Sequence, residues 1–115
     1  MGDQWFGNFV LNDNDEPVRA GSFMEWALWM GDNPERRQLC LDKIGATTVS
    51  TVFLGIDFGY SVHQRAYPKT PALPRLWETM IFDETGGPYD EYQRRYTSKK
   101  DALEGHRKAV QMLTS

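Results

Sequence analysis

The residues best suited to bind a ligand lie in one segment, residues 57–74, which connects two stretches predicted to be β-strands. Tyrosine rings can stack on a nucleobase, and arginine and lysine side chains can neutralise phosphate. Connections of this length without secondary structure are uncommon in compact domains and often bind ligands. We therefore predict an anion-binding or nucleotide-binding loop, with an ordinary proline-stiffened surface loop as the alternative. The candidate ligand-binding residues are Tyr60, His63, Arg65, Tyr67 and Lys69, together with Arg94 and Arg95 from a neighbouring strand.

Glu78 is the carboxylate with the most unusual predicted position, because it shares a strand face with Met80. A desolvated carboxylate has a raised pKa and can serve as a general acid or base. The alternative is a cross-strand ion pair with Arg94 or Arg95. A small hydrolase-type enzyme that uses Glu78 or His63 is therefore one hypothesis, although the sequence favours a protein without catalytic residues.

Two nucleotide-binding signatures are incomplete. Residues 54–59 resemble the phosphate loop of the actin and sugar-kinase superfamily, and they include the Asp-Phe-Gly of protein kinases. The first motif belongs to a far larger two-lobed fold. The second needs a glycine-rich loop, a paired lysine and a catalytic loop, which this sequence lacks. No Gly-x-x-x-x-Gly-Lys is present either, so the sequence argues against ATP-driven chemistry.

The histidines, the cysteine and the carboxylates form no recognisable metal-binding pattern. No spacing among His63, His106 and Cys40 matches a standard site, so we expect neither a metal nor a cofactor. His106 is predicted to be a hydrogen-bonded histidine of the core. A Ser-His-Asp arrangement stays open, but no glycine-flanked nucleophile turn supports one. The acidic residues 13–16 lack the central glycine and closing glutamate of an EF-hand, so we predict a solvated hairpin turn there.

Length and composition predict a single soluble domain. A chain of 115 residues is the size of one domain and can bury a core of its own. A net charge of −3 argues against general nucleic-acid binding. The only cysteine, Cys40, precludes an intramolecular disulfide and fits a reducing compartment. No apolar run approaches the ~20 residues of a membrane span, so we expect a cytoplasmic protein.

Residues 47–56 are the stretch around which the rest of the chain is organised. β-Branched and aromatic residues dominate it without proline or charge, and both faces carry apolar groups, which favours an inner strand. Residues 76–82 have the same character and are predicted to be the antiparallel partner. Further strands are predicted at 4–11, 35–42 and 92–96.

Two helices complete the predicted fold. Ser22 and Glu25 form a capping box before a short apolar helix over 23–30, which we expect to be either enclosed or in contact with a second subunit. Ser98 caps a C-terminal helix. Its predicted inward stripe is Ala102, Leu103, His106, Ala109, Val110 and Leu113. The predicted fold is α+β, with a single antiparallel sheet of about five strands and two helices.

Three stretches together resemble a group of small uncharacterised proteins encoded by tailed bacteriophages. They are residues 49–57 (VSTVFLGID), residues 77–82 (WETMIF), and residues 95–98 with 102–106. The resemblance covers roughly the C-terminal two-thirds of the chain. It implies a phage setting and transfers no catalytic residue.

These observations lead to two main hypotheses. The first is a phage accessory protein in the host cytoplasm that binds a small anionic ligand or nucleotide without catalysis, for instance a sponge for a host defence signal. The second is a protein-interaction module that inhibits a host protein. The surplus of aromatic residues also predicts a homo-oligomer.

Overall fold

The computed structural model describes residues 8–67, 69 and 73–114. These residues form an α+β structure in which all paired strands are antiparallel. In chain order the elements are β1 (Phe9–Leu11), β2 (Pro17–Arg19), α1 (Phe23–Asp32), α2 (Pro34–Arg37), β3 (Gln38–Ile44), β4 (Thr47–Phe53), α3 (Phe58–Ala66), β5 (Trp77–Asp83), β6 (Gln93–Tyr96) and α4 (Lys99–Thr114).

The strands form two sheets rather than the predicted single sheet of about five strands. Strands β3-β4-β5-β6 make a four-stranded sheet, and β1-β2 make a separate hairpin. The chain reverses direction in the acidic turn after Leu11, so β1 pairs with β2, the next strand along the chain. Beside this hairpin, an isolated antiparallel bridge pairs Asn8 with Ile56, and the Phe9 amide donates to the Gly55 carbonyl just beyond the end of β4. Residues 4–7 of the predicted first strand lie outside the described residues.

Strand β4 is an inner strand, as predicted, and β5 is its antiparallel partner. Val49, Thr51 and Phe53 point to one face of the sheet and are fully or almost fully buried. The opposite face is only half-buried at Ser50 and Val52. The sheet therefore has one core face and one open face.

Helix α4 covers the core face. Ser98 Oγ accepts a hydrogen bond from the Asp101 amide (3.1 Å), which confirms the predicted cap. Ala102 and Ala109 are fully buried against the sheet. Leu103 was predicted to face inward and is 43% exposed, because the buried stripe follows Ala102, His106 and Ala109 instead.

Helix α1 packs beside one end of the sheet, where the Trp29 ring meets the Phe53 ring edge-on. Ser22 Oγ accepts from the Glu25 amide as predicted, but the Glu25 carboxylate accepts from Gly21 rather than from Ser22. The helix is not enclosed. No residue in it is fully buried, and its large exposed side chains are Phe23, Met24 and Leu28.

Two predicted boundaries were wrong for local reasons. The predicted strand over 35–42 begins only at Gln38, because Pro34 occupies the first turn of the short helix α2 and the Arg37 amide donates to the Asn33 carbonyl. The strand predicted over 47–56 ends at Phe53. Gly55 then adopts a left-handed φ of 73°, which turns the chain away from the sheet.

Candidate functional site

The segment predicted to be a ligand-binding loop begins with helix α3. Asp57 caps this helix, since its Oδ1 accepts from the Tyr60 amide (3.2 Å) and its Oδ2 accepts from the Arg75 amide (2.9 Å). The buried Asp57 carboxylate thus fixes both ends of the connection, whereas a loop without secondary structure was predicted. The Tyr60 ring packs edge-on against Phe9, with 6.4 Å between the ring centroids.

The predicted ligand-binding residues divide into two regions. On α3 and just after it, the rings of His63 and Tyr67 lie 5.2 Å apart between centroids. Arg94 and Arg95 lie on β6 at the edge of the four-stranded sheet. Two surface grooves flank that edge, and neither is lined by any of the five predicted residues from 60 to 69. Ligand binding by the seven residues stays a prediction.

The two grooves share three arginines. The first, about 440 Å³, is lined by Arg75, Gln93, Arg94 and Arg95. The second, about 430 Å³, lies between the β6 edge and α4, and it includes the same arginines together with residues of α4 such as Lys108. The edge of the sheet is therefore strongly cationic on both faces, in a chain whose net charge is −3.

Among the described residues, Arg95 is hydrogen-bonded to a carboxylate, whereas Arg94 is not. Arg95 Nε donates to Glu78 Oε2 at 2.9 Å, and Gln93 Nε2 donates to the same oxygen. The predicted cross-strand pair of Glu78 is thus confirmed, and it occupies a buried carboxylate. The Arg94 guanidinium lies 5.4 Å from the centroid of the Tyr92 ring. No ion pair of Arg94 occurs within the described part of the chain.

A more enclosed cavity of about 270 Å³ lies where several elements converge. Its apolar lining comes from the ends of β1, β3, β4 and β5. The rim is charged and comes from the β1–β2 turn, from α2 and from the first turn of α4. The lining residues are Leu11, Asp15, Glu35, Arg36, Arg37, Gln38, Leu39, Phe53, Trp77 and Lys99.

The charges on this rim are only partly matched. Arg36 bonds to Asp15 Oδ1 (2.9 Å) and to the Asn12 carbonyl, and it holds the pKa of the Asp15 carboxyl below its usual value. Arg37 Nε is buried and has no hydrogen-bond partner among the described residues. A buried donor without a partner costs roughly 1–3 kcal/mol, so an acceptor at this position would be stabilising. The cavity thus combines an aromatic wall with a cation that lacks an acceptor.

A line of polar side chains crosses the core beneath α4. His106 Nε2 lies 2.7 Å from Asp42 Oδ2, and His106 Nδ1 lies 2.7 Å from Thr51 Oγ1. Thr51 Oγ1 lies 2.5 Å from Thr79 Oγ1. The prediction of a hydrogen-bonded core histidine is confirmed.

This line resembles a hydrolase triad in residue types but not in access. A nucleophile must reach a substrate, and the hydroxyl-bearing Thr51 and Thr79 are completely buried. Of its four members only Asp42 is well exposed, with 55% of its side chain accessible. The line therefore ties β3, β4 and β5 to α4. Among the described residues, no group of three or more His, Cys, Asp or Glu side chains is arranged to hold a metal ion.

Tyr96 lies between this line and the groove beside α4. Its hydroxyl is buried and has no hydrogen bond of good geometry to any described residue. Burial raises the pKa of the Tyr96 phenol, and the neighbouring Thr79 hydroxyl offsets part of that rise. Cys40 is free and half-buried, and burial likewise raises the pKa of its thiol, as expected for an unreactive cysteine.

No protein-family model, curated protein or solved structure matches this chain. None of the helices in the described ranges has the length and apolar character that crossing a bilayer requires.

Sequence reasoning missed the cavity and most of the polar line. The cavity combines Arg37, Phe53 and Lys99, which are far apart in sequence, and no spacing pattern connects them. For the polar line a signal existed. Thr51 alternates with Val49 and Phe53 on the predicted core face, and a hydroxyl at such a position requires a buried hydrogen-bond partner.

Proposed function

We propose that this chain is a non-catalytic protein that binds a small anionic ligand, a nucleotide being one example, in the cavity lined by Arg37 and Lys99. The observation that carries the proposal is the buried, unpartnered Nε of Arg37 beside the aromatic wall formed by Phe53 and Trp77. An aromatic wall takes a flat or apolar group, and a guanidinium takes a phosphate or carboxylate.

The size of the cavity limits what it holds. About 270 Å³ is slightly below the ~300–1,000 Å³ of typical small-molecule sites. It therefore takes one moiety of a nucleotide, such as a base with part of its sugar, and the remainder of a larger ligand stays at the rim near Arg36 and Lys99. On the phage resemblance, the setting of this binding is a phage accessory protein in the host cytoplasm, of which a sponge for a host defence signal is one version.

Calorimetric titration with a panel of cyclic nucleotides, ADP-ribose-type nucleotides and inorganic phosphate tests the proposal. At least one member should bind, and Arg37→Gln should weaken that binding about tenfold or more, because a charge-assisted hydrogen bond contributes roughly 1.5–3 kcal/mol. Lys43→Gln, on β3 at the other edge of the sheet, is the matched control and should leave the affinity unchanged. An absence of binding across the panel, or equal affinity in Arg37→Gln and wild type, would count against the cavity.

The second candidate function is a protein-interaction module that inhibits a host protein. The observation that favours it is the cationic, unpaired edge of β6. A hydrolase using Glu78 receives no such support, since Arg95 and Gln93 already bond to its carboxylate.

A further inference from the structure

We infer that the free edge of β6 binds an extended acidic segment of another protein as an added antiparallel or parallel strand. This site is separate from the cavity of Arg37, so the inference does not depend on the binding proposed there. It specifies the kind of partner that the second candidate function requires.

The main chain of β6 is available on one side. The sheet order places β6 at an edge, with β5 as its neighbour in the described structure. The Ile81 amide donates to the Tyr92 carbonyl, which sets the alternation of the ladder. Residues of an antiparallel strand alternate in the side to which their N–H and C=O groups point. The main-chain groups of Gln93 and Arg95 therefore point away from β5 and can pair with a further strand.

The two grooves fit the side chains of such a strand. Successive residues of a strand point to opposite faces of the sheet. Gln93 and Arg95 lie on the open face, while Arg94 and Tyr96 lie on the face that α4 covers. Two grooves of about 440 and 430 Å³ lie along this edge, and residues of both faces line each of them, with α4 contributing to the second. An added strand would place alternate side chains in the two grooves, and four residues of β6 would pair with about 13 Å of it.

Charge identifies the partner as acidic. Arg75, Arg94 and Arg95 border both grooves. Arg95 uses its Nε for Glu78, and Arg75 Nε lies 3.8 Å from Asp57. The acidic residues on the α4 side are Asp101 and Glu104, and Glu104 is already bound by Arg107. Glutamate or aspartate on both faces of an added strand would thus meet a guanidinium.

A simpler function of these arginines is protection, because charged side chains on an edge strand discourage unwanted pairing. The experiment distinguishes strand addition from protection by testing whether an acidic peptide, opposite in charge to the arginines, binds to the edge. Fluorescence anisotropy is measured with a labelled peptide of repeated Glu-Glu-Val-Val, which carries glutamate on both faces when extended, and with its lysine–valine counterpart. A third peptide carries the acidic sequence with N-methylated amides, which cannot donate to a neighbouring strand.

Strand addition predicts that only the unmodified acidic peptide binds and that N-methylation weakens it at least tenfold. Arg94→Gln should weaken binding several-fold, whereas Lys43→Gln, on the strand at the other edge of the sheet, should not. Hydrogen exchange at the Gln93 and Arg95 amides should slow when the peptide is bound. Lack of binding, or equal binding of the N-methylated peptide, would overturn the inference. Because Arg37→Gln should not affect the peptide, failure of the cavity proposal and failure of this one are distinguishable.

Discussion

Gly55 is the position where a single methyl group should disrupt the docking of three elements. Its carbonyl accepts hydrogen bonds from the Phe9 amide (2.7 Å) and from Trp26 Nε1 (3.1 Å), so it joins the end of β4 to β1 and α1. A Cβ at this position would lie 2.8 Å from the Phe9 carbonyl oxygen and 2.9 Å from Trp26 Nε1. Gly55→Ala must therefore displace the groups that hold these elements together.

Gly45 supplies the matched control. It has a similar left-handed φ, 62° against 73°, but among the described residues no atom beyond its chain neighbours lies within 4 Å of the position of its Cβ. A left-handed alanine costs about 1–2 kcal/mol, and the lower entropy of the unfolded chain returns roughly 0.4–1 kcal/mol. Gly45→Ala should thus destabilise the protein by about 1 kcal/mol. Gly55→Ala adds the loss or distortion of two hydrogen bonds at roughly 0.5–1.5 kcal/mol each, which makes about 2–4 kcal/mol.

Urea unfolding followed by tryptophan fluorescence measures both variants, with the midpoint converted to free energy at constant m-value. The expected difference between the two variants is about 1–3 kcal/mol, with Gly55→Ala the less stable. Equal destabilisation would refute the close approach of Phe9 and Trp26 to Gly55. A normal m-value in Gly55→Ala is also expected, because the four-stranded sheet beneath α4 does not depend on that contact.

Polar groups of the four-stranded sheet and of α4 give further expected outcomes. Tyr96→Phe should leave stability at neutral pH unchanged or raise it by up to ~1 kcal/mol, because the hydroxyl it removes is buried without a partner. Burial raises the Tyr96 pKa in the folded state above its value of about 10 in the unfolded chain. The wild type should therefore lose stability as the pH rises above about 10. Urea midpoints that fall equally in Tyr96→Phe would contradict this cause. His106→Leu should lower the free energy of unfolding by about 1–3 kcal/mol, because it removes both hydrogen bonds of a buried ring. Asp42→Asn, at an exposed position, should lower it by under about 1 kcal/mol in urea unfolding. Arg95→Leu should lower the free energy of unfolding by about 2–3 kcal/mol, because it leaves the buried Glu78 carboxylate without its cation. Glu78→Gln should lower it by less. The opposite order of the two variants in thermal unfolding would argue against the ion pair.

The sequence predicted the elements whose stability is local or whose pattern is strong. Strand β4 is rich in β-branched residues, and α4 has both a serine cap and a helical apolar stripe. Local sequence patterns could not show that β1 and β2 form a hairpin apart from the main sheet, because the order in which strands pair depends on contacts between residues distant in sequence. In the structure all three residues of β1 pair with β2.

Helix α3 was missed because its signals are weak. Asp57 is a good N-cap, but Gly59 follows in the first turn, and a helix of nine residues has little stability by itself. The helix depends on the packing of Tyr60 against Phe9 and on the second hydrogen bond of Asp57 to Arg75. The candidate sites differ in the same way. Arg94 and Arg95 could be proposed from the sequence as cations on a predicted strand, whereas the cavity forms only after α2, β4 and α4 converge.

Gly105 lies where Tyr96 packs on α4, next to the groove beside β6. Whether its substitution raises or lowers stability therefore reports on that contact. In the middle of a helix, Gly→Ala normally stabilises by about 1 kcal/mol. At Gly105, however, an added Cβ would overlap the ring and hydroxyl of Tyr96, which packs directly on the helix at this position. Gly105→Ala should therefore destabilise the protein and push Tyr96 into the groove. Gly31→Ala in α1, where nothing lies within 4 Å of the added Cβ, should instead stabilise by about 0.5 kcal/mol. Urea midpoints that move in opposite directions would confirm the contact between Tyr96 and α4, and a stabilising Gly105→Ala would show that the ring does not lie there.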